Sequence, residues 1–133
     1  MKMRGVRGAI TVDEDSAEAI WQATRELLAA MVEANGIDED DVASVIFTTT
    51  PDLKGAYPAK AARDLGWSRT ALMGMQEADV PDGLPRAIRI LIHWNTDRGL
   101  DDIQHIYMRD AIKLRPDFYP QNKLVLNGRD ETP

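Results

Sequence analysis

Arg86-Ala87-Ile88-Arg89-Ile90-Leu91-Ile92-His93-Trp94-Asn95-Thr96 alternates along its whole length. Ile88, Ile90, Ile92 and Trp94 fall on one side and Arg89, Leu91, His93 and Asn95 on the other, the period of two that marks a β-strand. One side is wholly apolar and predicts a core-facing surface. The other carries Arg89 in mid-strand, where desolvating a charge costs roughly several kcal/mol unless it is paired or faces a cavity. Three surroundings remain open for Arg89: a carboxylate such as Glu77, an exposed sheet face, or an anionic ligand.

Working outward, Val80-Pro81-Asp82-Gly83-Leu84-Pro85 is a turn signal before this strand. Val42 to Thr50 is β-branched and is stopped by Pro51, and Thr70 to Met75 predicts a further strand. Met3 to Val12 is a Gly-punctuated strand with Arg7 between Val6 and Gly8. Asp15-Ser16-Ala17-Glu18 predicts a helix start with a carboxylate or hydroxyl cap and a glutamate at capping-box spacing. Ile20, Ala23, Thr24, Leu27, Leu28, Met31 and Val32 then recur at three and four, and Asn35-Gly36 ends a helix expected to cover one face of a sheet. Pro58 to Gly66 predicts a short helix with proline near its start. Ile103 to Leu114 reads as either a strand or a short helix.

The fold class that follows is α/β (α+β), a mixed β-sheet with one long and one short helix. At 133 residues and 44% hydrophobic content the chain suits a single packed core. We expect one domain over residues 1–117 and a polar tail over 118–133 that frays.

Composition removes several function classes. A net charge of −6 with no Lys/Arg cluster argues against nucleic-acid binding by counterion release. The acidic runs Asp13-Glu14-Asp15 and Asp38-Glu39-Asp40-Asp41 read as solvated charge. No apolar run approaches the roughly 20 residues that span a bilayer, and no secretory signal is visible, so a cytoplasmic protein is expected. The absence of cysteine excludes disulfides and thiolate chemistry. His93 and His105 show no metal-site spacing, and no GxSxG, phosphate loop or GxGxxG is present. No metal and no cofactor is therefore expected. Catalysis by fixed charge, which needs no covalent step, remains open.

In order along the chain, Arg4-Gly5-Val6-Arg7-Gly8-Ala9-Ile10-Thr11-Val12, Thr50-Pro51-Asp52-Leu53, Tyr57-Pro58-Ala59-Lys60-Ala61-Ala62-Arg63, Met75-Gln76-Glu77, Arg86-Ala87-Ile88-Arg89, His105-Ile106-Tyr107-Met108-Arg109 and Leu114-Arg115-Pro116-Asp117 resemble the AroH-type monofunctional chorismate mutases. The resemblance implies a homotrimer with a barrel-like core and active sites between subunits. It also implies conversion of chorismate to prephenate, in aromatic amino-acid biosynthesis, by an intramolecular Claisen rearrangement. By that resemblance Arg89 contacts the ether oxygen, Arg7 pairs with a substrate carboxylate, Glu77 accepts from the ring hydroxyl and Tyr107 reaches a carboxylate. Tyr57, Ala59, Lys60 and Arg63 would form the opposite wall from a neighbouring subunit, while Leu114 and Arg115 would close the cleft. Two departures from the family's pattern stand out. Met73-Gly74 stands where relatives carry small polar residues, and Tyr57 replaces a phenylalanine. A trimeric module that binds a small carboxylate without turnover is the alternative reading, and a purely structural interaction protein the third.

Overall fold

The computed structural model describes residues 1–115. The expected tail, with Pro116 and Asp117 before it, lies outside the described residues. The strands are β1 (Lys2–Thr11), β2 (Val42–Thr49), β3 (Ala71–Gln76), β4 (Ala87–Thr96) and β5 (Ile106–Tyr107), with helices α1 (Ala17–Asn35) and α2 (Ala59–Asp64). They form one mixed sheet in the order β3-β2-β4-β1-β5.

The strand that the sequence singled out is the centre of this sheet. β4 runs antiparallel to both neighbours, with Ala9 and Thr48 opposite Arg89, and Arg7 and Ile46 opposite Leu91. The outer strands β3 and β5 are parallel to β2 and β1. A parallel neighbour requires a crossover. Helix α2 supplies it between β2 and β3, and α1 leads from β1 to β2.

Alternation then decides which side is covered. Ile88, Ile90, Ile92 and Trp94 of β4 share one core with Val6 and Ile10 of β1, Val45 and Phe47 of β2, and Ile20, Leu27, Leu28 and Met31 of α1. Each such side chain contributes roughly 1.5–3 kcal/mol when fully buried. Gly8 is what lets α1 lie so close, because a Cβ there would stand 2.4 Å from the Met31 sulfur. The other side, with Arg7, Ile46, Thr48, Arg89, Leu91 and Met73 by register, faces away from α1, and its Ala9 packs with Ala111 near the described C-terminal end.

Local chemistry explains the boundaries and corrects some expected details. Ser16, not Asp15, caps α1 by accepting from the Ala19 N–H at 3.1 Å. The capping box is therefore not formed: Asp15 instead accepts from the N–H groups of Lys54 and Gly55, tying the β2–α2 loop to the helix start. Gly36 closes α1 in the left-handed conformation at φ 69°. Asn35 is buried, and its side chain donates to Met31 O of α1 at 2.8 Å and to Gln104 O at 2.9 Å while accepting from Gln104 N at 2.8 Å. That pair holds the chain just before β5 against the end of α1.

The third strand begins one residue later than expected and is the exposed edge. The stretch read as strand or helix is both: the two-residue β5, then a 3-10 helix over Arg109–Leu114. Arg109 adopts φ 54° at that junction, where its guanidinium donates to Thr11 O at 2.9 Å and bridges Glu26 at 2.8 Å. Arg86 makes a similar corner into β4 at φ 48°. Its N–H donates to Asp52 and its side chain to Val12 O, both at 2.9 Å.

Candidate active site

Arg89 is positioned by the hydrogen-bonded ladders on both sides of it. Its Nε lies 3.7 Å from Glu77 Oε2, within ion-pair reach and beyond hydrogen-bond reach. That Nε is buried and has no hydrogen-bond partner among the described residues. A buried donor left unused costs roughly 1–3 kcal/mol, so it marks a place where an acceptor belongs.

Glu77 reaches this point because β2 holds it. Its backbone N–H donates to Thr49 O at 2.8 Å, and its carboxylate accepts from the Thr48 hydroxyl. Arg7 stands diagonally from Arg89 on the same side of the sheet, two pairs further along the β1–β4 ladder. Arg7, Thr48, Glu77 and Arg89 line one cavity of about 180 Å³ together with Ile46 and Leu91.

The far end of the cation row is set by β5. The Arg7 N–H donates to His105 Nδ1 at 3.0 Å, which fixes the acceptor nitrogen of that ring. Burial, and then the positive charges of Arg7 and Arg115, lower the His105 pKa below its ordinary 6.5, which favours the neutral ring. The Arg7 guanidinium carbon lies 5.9 Å from the centre of the Tyr107 ring. Tyr107 is wholly buried and packs with Ala9 and Ala111, against which Leu84, Ile112 and Leu114 rest. Leu114 and Arg115, expected to close the cleft, end the 3-10 helix half-buried.

The other expected site residues gather elsewhere in the same chain. Tyr57, Lys60, Arg63 and Gly74 line a larger cavity of about 620 Å³ with Trp21, Phe47 and Thr49. Phe47 and Thr49 alternate with Thr48 along β2, so this cavity opens on the opposite side of the sheet from Arg89. Ala59 is buried as the first residue of α2, whereas Tyr57 is 82% exposed. Met73 is also exposed, on the Arg89 side by its register with Ile46. Gly74 presents only backbone to its cavity. Within one chain, then, Arg7, Glu77 and Arg89 are together and Tyr57, Lys60 and Arg63 are apart from them.

Two contributors were not singled out in the sequence. Thr48 looks there like one more β-branched residue in a strand, and its signal is the register that sets it beside Arg89. Trp21 is an aromatic residue outside the apolar stripe of α1. Its ring lies 4.5 Å beneath the Lys60 ammonium, and its indole N–H donates to Tyr57 O at 3.2 Å. Lys60 is further tied to Asp64 at 3.0 Å.

The fold and this arrangement define an α+β domain with two arginines fixed on adjacent strands around one cavity. Comparison with known proteins gives the particular family. The type I chorismate mutase family matches residues 3–118. A protein of Thermus thermophilus named chorismate mutase AroH is 56% identical over 117 residues, which cover 87% of this chain and 96% of that one. Its namesake in Bacillus subtilis is 42% identical over 119 residues, 89% and 94% of the two chains. A solved chorismate mutase from Clostridium thermocellum superposes with a TM-score of 0.80 at 49% identity, covering 81% of this chain and 96% of its own. The chain belongs to the type I chorismate mutase family, and it is an isomerase.

Proposed function

We propose that this protein rearranges chorismate to prephenate by holding the substrate between fixed charges, in a site completed by a second copy of the chain. The observation that carries this reading is the buried, unused Nε of Arg89 beside Glu77. The reaction breaks one carbon–oxygen bond and forms one carbon–carbon bond within the same molecule. No proton, electron or leaving group is exchanged, so the protein has only to orient the substrate and meet charge where it develops.

Charge builds on the ether oxygen as the carbon–oxygen bond lengthens. Arg89 is the donor to that oxygen, and being built into β4 it needs no reorganisation at the moment of reaction. Arg7 holds a substrate carboxylate through a planar fork suited to bidentate pairing. Glu77 accepts from the ring hydroxyl. Tyr107 reaches a carboxylate from β5, with Leu114 and Arg115 closing over that end.

A cavity of about 180 Å³ is smaller than the roughly 300 Å³ at which small-molecule sites begin. Tyr57, Ala59, Lys60, Arg63 and Gly74 of a neighbouring copy supply the missing wall, and Met73 edges the Arg89 side. Support for that assembly comes from the sheet itself. The side away from α1 carries Ile46 and Leu91, and Met73 and Met75 at the β3 edge are 59% and 48% exposed. Such a surface calls for a cover of the same character. A homotrimer in which three sheets face one another provides it. We place the enzyme in the cytoplasm, in aromatic amino-acid biosynthesis, in keeping with a chain that has no cysteine.

The test is direct. Purified protein in the presence of a chelator is expected to convert chorismate to prephenate, and Arg89→Ala to lose most of that activity while staying folded. A wild-type protein that binds chorismate without turning it over would refute the proposal.

A further inference from the structure

Thr48 has no part in the reaction as described so far, yet it sits at its centre. It lies in mid-strand on β2, directly opposite Arg89 of β4, and half-buried on the cavity shared with Arg7 and Glu77. Its hydroxyl donates to Oε2 of Glu77. That is the same oxygen that stops 3.7 Å from Arg89 Nε.

A carboxylate and a guanidinium left to themselves close to about 2.7–2.9 Å, where a charge-assisted hydrogen bond forms. Glu77 stops short of that distance. Its backbone is pinned on Thr49 O and its carboxylate on the Thr48 hydroxyl, so two successive residues of β2 fix both ends of the glutamate. Were Oε2 released, nothing in this row would keep it from settling on Nε. The donor would then be occupied by protein, and its charge offset at closer range.

We propose that Thr48 is a positioning residue, whose hydroxyl holds Glu77 off Arg89 and so keeps the Arg89 Nε–H available to the reacting oxygen. This rests on the chorismate mutase reading given above. It assigns the loss caused by removing Thr48 to the transition state, where Arg89 acts, and not to the binding of the substrate carboxylates by other cations. An interaction made only in the transition state lowers kcat and kcat/KM together and leaves KM near its starting value.

The experiment compares wild type, Thr48→Val and Thr48→Ser by steady-state kinetics on chorismate, with circular dichroism and melting to report folding. Valine keeps the shape and removes the donor, while serine keeps the donor. Thr48→Val is expected to lose roughly ten- to a hundredfold in kcat, the scale of a misplaced catalytic group, with a smaller rise in KM from the shifted Glu77. Thr48→Ser is expected to retain most of the wild-type rate. If the valine variant does not fold, Thr48→Ala, which demands no space, replaces it in the same comparison. A wild-type kcat in the variant lacking the hydroxyl overturns the assignment. So does a loss confined to KM, or a serine variant as impaired as the valine one. A wild type without turnover refutes the reaction itself, and that control is read before any variant.

Discussion

Arg89 and Glu77 face each other at 3.7 Å, between the middle of β4 and the residue that follows β3. The separation lets the carboxylate offset part of the cost of holding a cation in a strand without consuming its N–H. The sequence left an ion pair and an anionic ligand as competing explanations of Arg89. The geometry is compatible with both at once, the carboxylate for charge and the open donor for a ligand.

Arg89→Ala is expected to reduce kcat roughly a hundred- to a thousandfold, the usual effect of removing a donor aimed at developing charge. Arg89→Lys keeps a charge but not the planar fork, and it should recover little of the loss. Both variants should melt close to wild type, since the side chain is one-third exposed and the strand around it is unaltered. Single-turnover and steady-state rates with circular dichroism check the pair of statements.

The proposed sharing of sites between subunits predicts complementation. In that arrangement Arg89→Ala and Lys60→Ala disable opposite walls, so each variant alone should be impaired. Mixed trimers, formed by co-expression or by refolding together, contain some sites with both walls intact. Activity above the sum of the separate variants is the expected result, and strict additivity would place both walls in one subunit.

Trp21→Leu is expected to raise KM by about two- to fivefold at unchanged kcat. The ring beneath Lys60 is worth roughly 0.5–1 kcal/mol to the position of that ammonium at a half-exposed site. A substitution that acts only on substrate binding moves KM alone. Trp21→Phe, which keeps a ring, should lie between the two.

Much of the architecture was legible because β4 advertises itself: Ile88, Ile90, Ile92 and Trp94 can only be one buried side of a strand. The stripe from Ile20 to Met31 did the same for α1. What could not be read was pairing across distance. Nothing local distinguishes Thr48 from Thr49, or says that the Asp15 carboxylate turns to Lys54 and Gly55 and leaves the helix cap to Ser16. Residues 103–114 resisted a single reading because the segment changes conformation at Arg109. The family resemblance divided the site residues between two subunits, whereas their placement on two sides of one sheet came from the register of β2 and β3.

His105 gives a pH dependence with a definite sign. Its folded-state pKa lies below the ordinary 6.5, so as the pH falls through that value the unfolded chain takes up a proton that the folded ring refuses. The contribution to stability is therefore fully present above 6.5 and declines as the pH is lowered toward the folded pKa. Protonation also removes the acceptor for the Arg7 N–H. Melting temperature measured between pH 7.5 and 5 should fall more steeply for wild type than for His105→Gln.

Gly8→Ala should destabilise the fold by about 1–3 kcal/mol, the range for overpacking a core. The new methyl would overlap Met31 and touch Leu27 at 3.0 Å, pushing α1 off the sheet. Denaturant melts should show a lower midpoint at an unchanged slope. Because Arg7 is the next residue, a modest rise in KM should accompany the loss.

The place of Arg89 in the middle strand of five also bears on how the enzyme fails when heated. Amides at the centre of a sheet exchange with solvent only when the whole domain opens, whereas edges and termini open locally at far lower cost. The arginine that meets the developing charge thus sits in the last part of the molecule to loosen. The β4 wall of the site should stay in place until global unfolding, so any earlier loss of activity during slow heating would trace to the contact between copies or to the edge segment around Tyr107. Deuterium uptake at residues 87–96 would be the slowest in the chain.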